Sequence, residues 1–314
     1  MASDQKFYAN VKLLLTGEYF VLDGAKALAV PTRFGQSLEI VATKHGEAML
    51  YWQSEDERGQ VWFSAEFTLP DLTLVKASDT DVGQKLSDIL QFARQHNPNF
   101  LQQPQSLSAT TRLTFPRQWG LGTSSTLVAT VAEWADIDPF QLQFAAFGGS
   151  GYDIACARAQ RPIFYKKMDG QPQVEASSFA PTFVENLYFV FLGKKQNSRE
   201  GIRRYRKQVA QMAVLSTNVT AMTNAFAQAE TLEELEQVIE THEAFIAQHL
   251  QLPRAKALYF RDYWGQVKSL GAWGGDFVLV TSNRSEAETR HYFNEKGYEV
   301  FFRYKQLILH ERSK

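Results

Sequence analysis

Alternating apolar and polar residues predict that the first third of the chain consists mainly of short β-strands. Turn-forming pairs such as Asp23-Gly24 and His45-Gly46 separate the strand-like runs. The predicted strands cover residues 8–15, 27–30, 37–42, 48–52 and 61–67.

Apolar residues change to a helical spacing over residues 82–97, which predicts the first long helix. Alternation returns over residues 107–115 and predicts another strand. A second helical period covers residues 123–134. Asp138 and Pro139 then open a short helix, because proline is favoured at the first helical position.

The second half of the chain is predicted to be mostly helical. Thr231 and Glu234 have the spacing of a capping box, and Ser285 and Glu288 repeat it. Strands are predicted around the later helix, at residues 277–280, 298–302 and 306–310.

Prolines mark the predicted domain boundary. Pro172 and Pro181 interrupt a strand-rich stretch, and we place the boundary near residue 180. The predicted N-terminal domain therefore covers residues 1–180, and the predicted C-terminal domain covers residues 181–314. The chain has 314 residues, of which 44% are hydrophobic, so it is long enough to bury two cores.

Composition narrows the classes of partner. The formal net charge is -1, so neither nucleic acid nor an anionic membrane is an expected partner, and a small-molecule substrate is favoured. Charged residues interrupt the first twenty residues, and no apolar stretch has the length of a membrane span. Cys156 is the only cysteine, which is typical of a reducing compartment. The cytoplasm is therefore the predicted location.

A glycine-rich segment with the sequence Gly-Leu-Gly-Thr-Ser-Ser occupies residues 120–125, and its Thr-Ser-Ser part starts a predicted helix. Such a turn directs backbone N–H groups and the positive end of a helix dipole at one point, and hydroxyl groups lie beside them. This pattern predicts binding of a polyphosphate or its magnesium ion. The alternative is an ordinary strand-to-helix turn with a serine cap. No lysine follows the glycines, so the turn is not a Walker loop.

Two more glycine clusters have candidate roles. The sequence Gly-Gly-Ser-Gly-Tyr-Asp at residues 148–153 ends in Asp153, whose carboxylate is a candidate acceptor for the proton of a substrate hydroxyl. The alternative for Asp153 is a helix N-cap. The third cluster, residues 271–276, is a turn when taken alone.

Basic residues supply the remaining candidates. Lys12 interrupts a predicted strand, and it gains a catalytic role only if it lies near Asp153, where a cation stabilises transition-state charge. Residues 194–207 contain seven lysines and arginines, most of which are expected on a solvated helix face. Three of them lie just before the predicted helix and are candidates for binding an anionic substrate: Lys194, Lys195 and Arg199.

The order of residues 11–22, 120–125 and 271–276 resembles the three motifs of the GHMP kinase superfamily, which includes galactokinase, homoserine kinase, mevalonate kinase and phosphomevalonate kinase. Residues 151–155, Gly-Tyr-Asp-Ile-Ala, resemble a bacterial subgroup named for this pentapeptide, and the motifs are most similar to those of phosphomevalonate and mevalonate kinases. The resemblance implies an α+β fold with a ribosomal-protein-S5-like N-terminal domain and a ferredoxin-like C-terminal domain. It also implies an ATP site between the two domains.

The resemblance also implies roles for individual residues. Asp153 corresponds to the catalytic aspartate, Lys12 to the lysine near it, and Ser125 to a magnesium ligand. The implied nucleotide-binding residues are Gly120, Leu121, Gly122, Thr123, Ser124 and Ser125. The candidate substrate-binding residues are those of the motifs and the three from the basic run: Glu18, Ser150, Gly151, Lys194, Lys195, Arg199, Gly274 and Gly275.

Two features depart from the superfamily pattern. Asp153 follows Ser125 by only 28 positions, so part of a helix pair is expected to be trimmed. Residues 140–144 contain no carboxylate for magnesium, and Glu18 and Glu133 are the nearest substitutes.

The predicted function is an ATP- and Mg²⁺-dependent kinase of a small anionic metabolite, with phosphomevalonate or mevalonate as the first candidates. The acceptor atom is a hydroxyl or phosphate oxygen. The alternatives are a kinase of a sugar or homoserine, and a nucleotide-binding pseudokinase. The oligomeric state is left open, with a homodimer as the candidate.

Overall fold

The computed structural model describes residues 4–43, 48–103, 105–177, 179–194, 198–208, 212–273 and 276–309. Contacts divide the chain into two compact units. Unit 1 contains Met1–Val11, Phe34–Arg117 and Gly122–Arg158, and unit 2 contains Lys12–Arg33, Gln118–Leu121 and Ala159–Lys314. The domain boundary near residue 180 stays a prediction.

Strands and helices alternate in blocks along the described residues. The strands are β1 (Gln5–Thr16), β2 (Ala27–Thr43), β3 (Met49–Glu55), β4 (Val61–Thr68), β5 (Leu74–Ala77), β6 (Ser106–Leu113), β7 (Ile163–Met168), β8 (Gln171–Ala176), β9 (Leu187–Phe191), β10 (Val267–Ser269), β11 (Phe277–Thr281) and β12 (Phe301–Arg303). The helices are α1 (Thr80–His96), α2 (Thr123–Trp134), α3 (Pro139–Ala146), α4 (Tyr152–Ala157), α5 (Ser198–Gln208), α6 (Met212–Gln228), α7 (Leu232–Leu250), α8 (Ala255–Tyr259), α9 (Glu286–Glu295) and α10 (Tyr304–Leu307).

Unit 1 packs four helices against a sheet. Its strands are ordered β5-β4-β3-β6-β2, where β3 and β6 are parallel and the other neighbours are antiparallel. The apolar face of α1 packs against the sheet and contributes Leu86, Ile89 and Leu90 to the core. Val128 of α2 and Ile154 of α4 belong to the same core, which brings these two helices together.

Unit 2 contains an antiparallel sheet in the order β10-β11-β9-β12. The first residues of β2 pair with β7, which pairs with β8. The long helix α7 contacts α5, α6 and β10, and it buries Leu235, Ile239 and Ile246. This helix therefore lies next to the strand that precedes the third glycine cluster.

Two sequence predictions are corrected. The predicted strands 27–30 and 37–42 form one continuous strand, β2, because residues 31–36 between them are also extended and form no turn. The predicted strand 306–310 is wrong: Leu307 ends α10, and Ile308 forms a single bridge with Thr32. Leu307 and Ile308 are both buried, whereas consecutive residues of a strand would point to opposite faces. His310 and the His45-Gly46 turn lie outside the described residues.

Local helix signals are confirmed. Helix α2 has the predicted bounds, Asp138 caps α3, and Ser285 and Glu288 form a complete capping box at α9. At α7 the Thr231 side chain accepts from the Glu234 N–H, while the Glu234 carboxylate accepts from the Glu230 N–H. Among the described residues, no helix is both long enough and apolar enough to cross a membrane.

Candidate active site

The glycine-rich turn leads into helix α2, whose N-cap residue is a glycine and therefore has no side chain that could cap the helix. Gly122 is the N-cap of α2 and has a φ of 101°, and Thr123, Ser124 and Ser125 are the first three helical residues. The alternative of a serine cap is therefore wrong. The first N–H groups of a helix have no partner inside the helix, so this end is suited to an anion.

Ser125 is buried at the start of α2. Its hydroxyl donates to the Gly122 carbonyl at 2.9 Å, so the lone pairs of its oxygen stay available for a cation. The next residue, Thr126, donates to the Gln36 side chain of β2 at 2.7 Å. These two bonds fix the start of α2 within unit 1.

Asp153 lies in the first turn of α4, and its side chain is half-buried. Gly151, with a φ of 92°, is the N-cap, so the alternative role of Asp153 as the cap residue is wrong. Ser150, which precedes Gly151, is buried. Helix α4 packs on α2, so unit 1 holds the helix that contains Asp153 next to the helix that follows Gly122.

The first half of the glycine-rich turn belongs to unit 2, where aromatic contacts anchor it. The Trp119 ring contacts Phe277 at 6.0 Å and Phe302 at 5.4 Å between centroids, on the antiparallel sheet. Gly120 has a φ of 68°, and a Cβ atom there would lie 2.3 Å from Asp276 Oδ1. A side chain at Gly120 would therefore strain the backbone, and the Asp276 carboxylate would have to move to make room for it.

Lys12 lies beside the same turn through its backbone. Its N–H donates to the Leu121 carbonyl at 3.5 Å, and Leu121 itself is buried. Unit 2 therefore places β1, the turn at Gly120 and Asp276 next to one another. Lys12 and Asp153 belong to different units, so their pairing stays a prediction.

Glu18 is fully buried in an ion pair rather than exposed to a substrate. The Lys268 ammonium donates to Glu18 Oε1 at 2.5 Å and to the Ser269 carbonyl at 3.1 Å. His242 Nε2 lies 3.3 Å from Glu18 Oε2, and both side chains are inaccessible to solvent. This geometry favours a structural role for Glu18, linking the turn after β1 to β10.

Glu243 completes the buried cluster. It accepts hydrogen bonds from the N–H and the hydroxyl of Ser269, both at 3.0 Å, and lies 3.9 Å from the Lys268 ammonium. Burial raises the pKa of Glu243 from 4.5 to about 8, although Lys268 opposes the rise. Burial and the charge of Lys268 lower the pKa of His242 well below 6.5. His242 is therefore neutral in the folded protein near neutral pH.

Replacing Glu243 by glutamine is expected to flatten the dependence of stability on pH. The raised pKa means that the folded state binds a proton more tightly than the unfolded state, so stability falls as pH rises from about 4.5 to about 8 and is level above that range. The slope from this group approaches about 1.4 kcal/mol per pH unit. Urea unfolding of both proteins at a series of pH values measures the difference.

Glu233→Gln, an exposed change on the same helix, is the matched control. Glutamine at position 243 can still accept from the Ser269 N–H and can donate to its hydroxyl, so both hydrogen bonds survive. A Glu243→Gln protein whose stability declines with pH as steeply as the control would contradict the expected titration.

Helix α5 is fixed on the turn that follows Glu18. Tyr205 Oη donates to Asp23 Oδ2 at 2.6 Å, and Arg206 pairs with Asp23 Oδ1 at 2.6 Å. Tyr19 stacks on Tyr205 with 5.8 Å between the ring centroids. Arg203, Arg204 and Lys207 remain exposed. The basic run therefore has one face bound to the protein and one face in solvent, as predicted for most of its members.

The other predicted substrate residues are only partly described. Lys194 is exposed, and its ammonium lies 5.6 Å from the centroid of the Tyr259 ring. Arg199 lies in the first turn of α5, and Lys195, Gly274 and Gly275 lie outside the described residues. The sequence analysis did not identify Asp276 or Lys268 as site residues. The only signal for Asp276 was its position directly after the third glycine cluster.

The chain has an α+β fold similar to those of solved mevalonate kinase and galactokinase structures, which confirms the predicted fold class. The mevalonate kinase of Methanococcus jannaschii matches with a TM-score of 0.71 and 14% identity, covering 99% of this chain and 99% of that chain. The phosphomevalonate kinase of Streptococcus pneumoniae, in complex with phosphomevalonate and AMPPNP, matches with a TM-score of 0.68 and 15% identity, covering 95% and 99%.

The galactokinase of Lactococcus lactis, complexed with galactose, matches with a TM-score of 0.69 and 10% identity, covering 96% of this chain and 92% of that chain. No protein-family model matches the chain, and no curated protein sequence matches it significantly. The structural likeness therefore spans almost the whole chain, whereas the sequence identity to these three structures is only 10–15%.

Proposed function

We propose that this chain is an ATP-dependent kinase of a small anionic metabolite, with mevalonate and phosphomevalonate as the first acceptors to test. The observation that carries the proposal is the glycine-rich turn at residues 120–125, which enters α2 at an N-terminus capped only by glycine. The similar structures are named as kinases of mevalonate, phosphomevalonate and galactose, and one contains an ATP analogue. A cytoplasmic location and a homodimer stay predictions.

The turn and the start of α2 suit the phosphates of a nucleotide. The N–H groups of Thr123, Ser124 and Ser125 would bind phosphate oxygens, because they form the positive end of the helix dipole. ATP supplies the phosphoryl group that is transferred, and magnesium offsets the charge of its phosphates.

The donor atoms at the start of α2 also suit a magnesium ion. The Ser125 hydroxyl directs its proton to Gly122 and keeps its lone pairs for the cation. No cluster of three or more His, Cys, Asp or Glu residues occurs in the part of the chain that the structure describes. Phosphate oxygens and water would therefore supply most of the other ligands, as is usual for magnesium at phosphates.

Asp153 and Lys12 would act on the acceptor. Asp153 would remove or orient the proton of an acceptor hydroxyl, and Lys12 would stabilise the negative charge of the transferring phosphoryl group. An acceptor phosphate is already largely ionised near neutral pH, because its second pKa is about 6. With such an acceptor, Asp153 would serve mainly for orientation.

The purified protein should phosphorylate mevalonate or phosphomevalonate when it is given ATP and magnesium. The panel is mevalonate, phosphomevalonate, galactose and homoserine, and mass spectrometry of the products together with ADP formation provides the readout. ATP at a hundred times its Kd should also stabilise the folded protein by about 2.7 kcal/mol.

Stabilisation by ATP without any phosphorylated product would favour the pseudokinase alternative. No stabilisation and no product would overturn the kinase proposal. Transfer to galactose or homoserine alone would support the kinase activity but contradict the proposed acceptor.

A further inference from the structure

A carboxylate borders the turn that is proposed to receive the phosphates of ATP. Both carboxylate oxygens of Asp276 lie within 2.8 Å of the position that a Cβ atom of Gly120 would occupy. The carboxylate approaches the backbone this closely because Gly120 has no side chain. Asp276, Gly120 and Leu121 all belong to unit 2.

Backbone and aromatic contacts hold Asp276 beside the turn. Its carbonyl accepts from the Leu192 N–H at 2.9 Å. The next residue, Phe277, begins β11, and its ring centroid lies 6.0 Å from that of Trp119, which precedes Gly120. The carboxylate and the turn are therefore anchored on the same sheet of unit 2.

The charge of Asp276 acts on its surroundings. Burial raises the pKa of the Tyr19 phenol, and the negative charges of Glu18 and Asp276 add to the rise, whereas the positive charge of Arg204 opposes it. Asp276 is itself half-buried, so water screens its charge only in part. Its field therefore reaches a ligand bound beside Gly120.

A negative charge at this turn disfavours a bare polyphosphate. Two like charges about 6–10 Å apart near a protein surface repel each other by an amount that corresponds to about 10- to 100-fold in affinity. This repulsion opposes the attraction that the backbone N–H groups of the turn exert on phosphates. A magnesium ion carried by the phosphates reverses the sign, because magnesium is bound by carboxylate, phosphate and water oxygens.

The two glutamates considered from the sequence are poorly placed for this role. Glu18 is buried and paired with Lys268. Glu133 is exposed in the last turn of α2, about 12 Å along the helix from Ser125. Asp276 is the carboxylate that the structure places against Gly120.

We propose that Asp276 makes the turn selective for nucleotide that carries magnesium, because its carboxylate repels the phosphates of metal-free ATP and attracts the metal complex. The inference rests on the proposed kinase function and assigns the form of ATP that the site accepts. Asp276 is then a specificity-determining residue for the nucleotide.

The test measures the Kd of ATP by calorimetry, once in excess magnesium and once in EDTA, for the wild-type protein, Asp276→Asn and Asp169→Asn. Asparagine keeps the size of the side chain and removes its charge. Asp169 is the control because it is exposed in the turn between β7 and β8 of unit 2, with a φ of 50° that asparagine also adopts.

Asp276→Asn should lower the ratio of the Kd in EDTA to the Kd in magnesium by about 10- to 100-fold, chiefly because metal-free ATP binds more tightly. Asp169→Asn should keep the wild-type ratio. The ratio is taken on a single protein, so a variant that is partly unfolded changes both Kd values by the same factor and leaves the ratio as it was.

The outcomes separate this inference from the proposed function. An unchanged ratio in Asp276→Asn, including equal weakening of both forms of ATP, would overturn the inference and leave the kinase function standing. A lowered ratio without phosphoryl transfer to any acceptor would support the inference and overturn the kinase function. No binding of ATP by the wild-type protein in either condition would overturn both.

Discussion

Replacing Asp153 by asparagine is expected to lower the turnover of an alcohol acceptor by about 10²- to 10⁴-fold, the usual range for loss of a general base. Asparagine preserves the size of the side chain but has neither the charge nor the basicity of a carboxylate. Gly151 caps α4, so the substitution removes no N-cap hydrogen bond of this helix. Steady-state kinetics with saturating ATP measures the loss, and the KM for ATP should change much less.

Asp138→Asn is the matched control for this experiment. Asp138 is an exposed N-cap that accepts from the Phe140 N–H at 2.9 Å, and asparagine caps a helix about as well as aspartate. Its turnover should equal that of the wild-type protein. Wild-type turnover by Asp153→Asn with an alcohol acceptor would remove the proposed base. A small loss confined to a phosphate acceptor would fit the orienting role instead.

Replacing Lys268 by methionine is expected to destabilise the protein by about 3–5 kcal/mol, because it leaves the carboxylate of Glu18 buried without its cation. Both side chains are inaccessible to solvent, so water cannot replace the lost partner. Glu243, which lies 3.9 Å from the same ammonium, loses its nearest positive charge as well. Chemical denaturation at fixed pH measures the change in the free energy of unfolding.

Lys76→Met is the control for an exposed pair. Lys76 lies 3.9 Å from Glu66 at the surface, so its loss should cost about 0–1 kcal/mol. Adding Glu18→Met to Lys268→Met should recover part of the loss, because a well-packed apolar pair can replace a buried ion pair. Equal destabilisation by Lys268→Met and Lys76→Met would show that the buried pair contributes nothing.

Local patterns were sufficient for α1, α2, α3, α7 and α9. Helix α2 has the predicted bounds, and the capping residues Asp138 and Ser285 occupy the predicted positions. A helix start depends on neighbours within four residues, so its signal lies in a short segment of sequence. The same locality explains why the strand predicted at residues 306–310 was wrong. Leu307 and Ile308 are buried by distant parts of the chain, and a short apolar run does not distinguish a strand from a helical turn.

The sequence by itself determined the α+β class, the amphipathic helices, the glycine-rich turn at residues 120–125 and the candidate base, Asp153. Only the tertiary structure decided that Glu18 is paired with Lys268, 250 positions away, and that Asp276 lies against Gly120. It also decided that Arg206 is paired with Asp23, whereas Arg203 and Arg204 of the same helix remain exposed. Periodicity and capping report interactions within a few residues, while the burial of a charge and the shape of a cavity depend on which distant segments pack together.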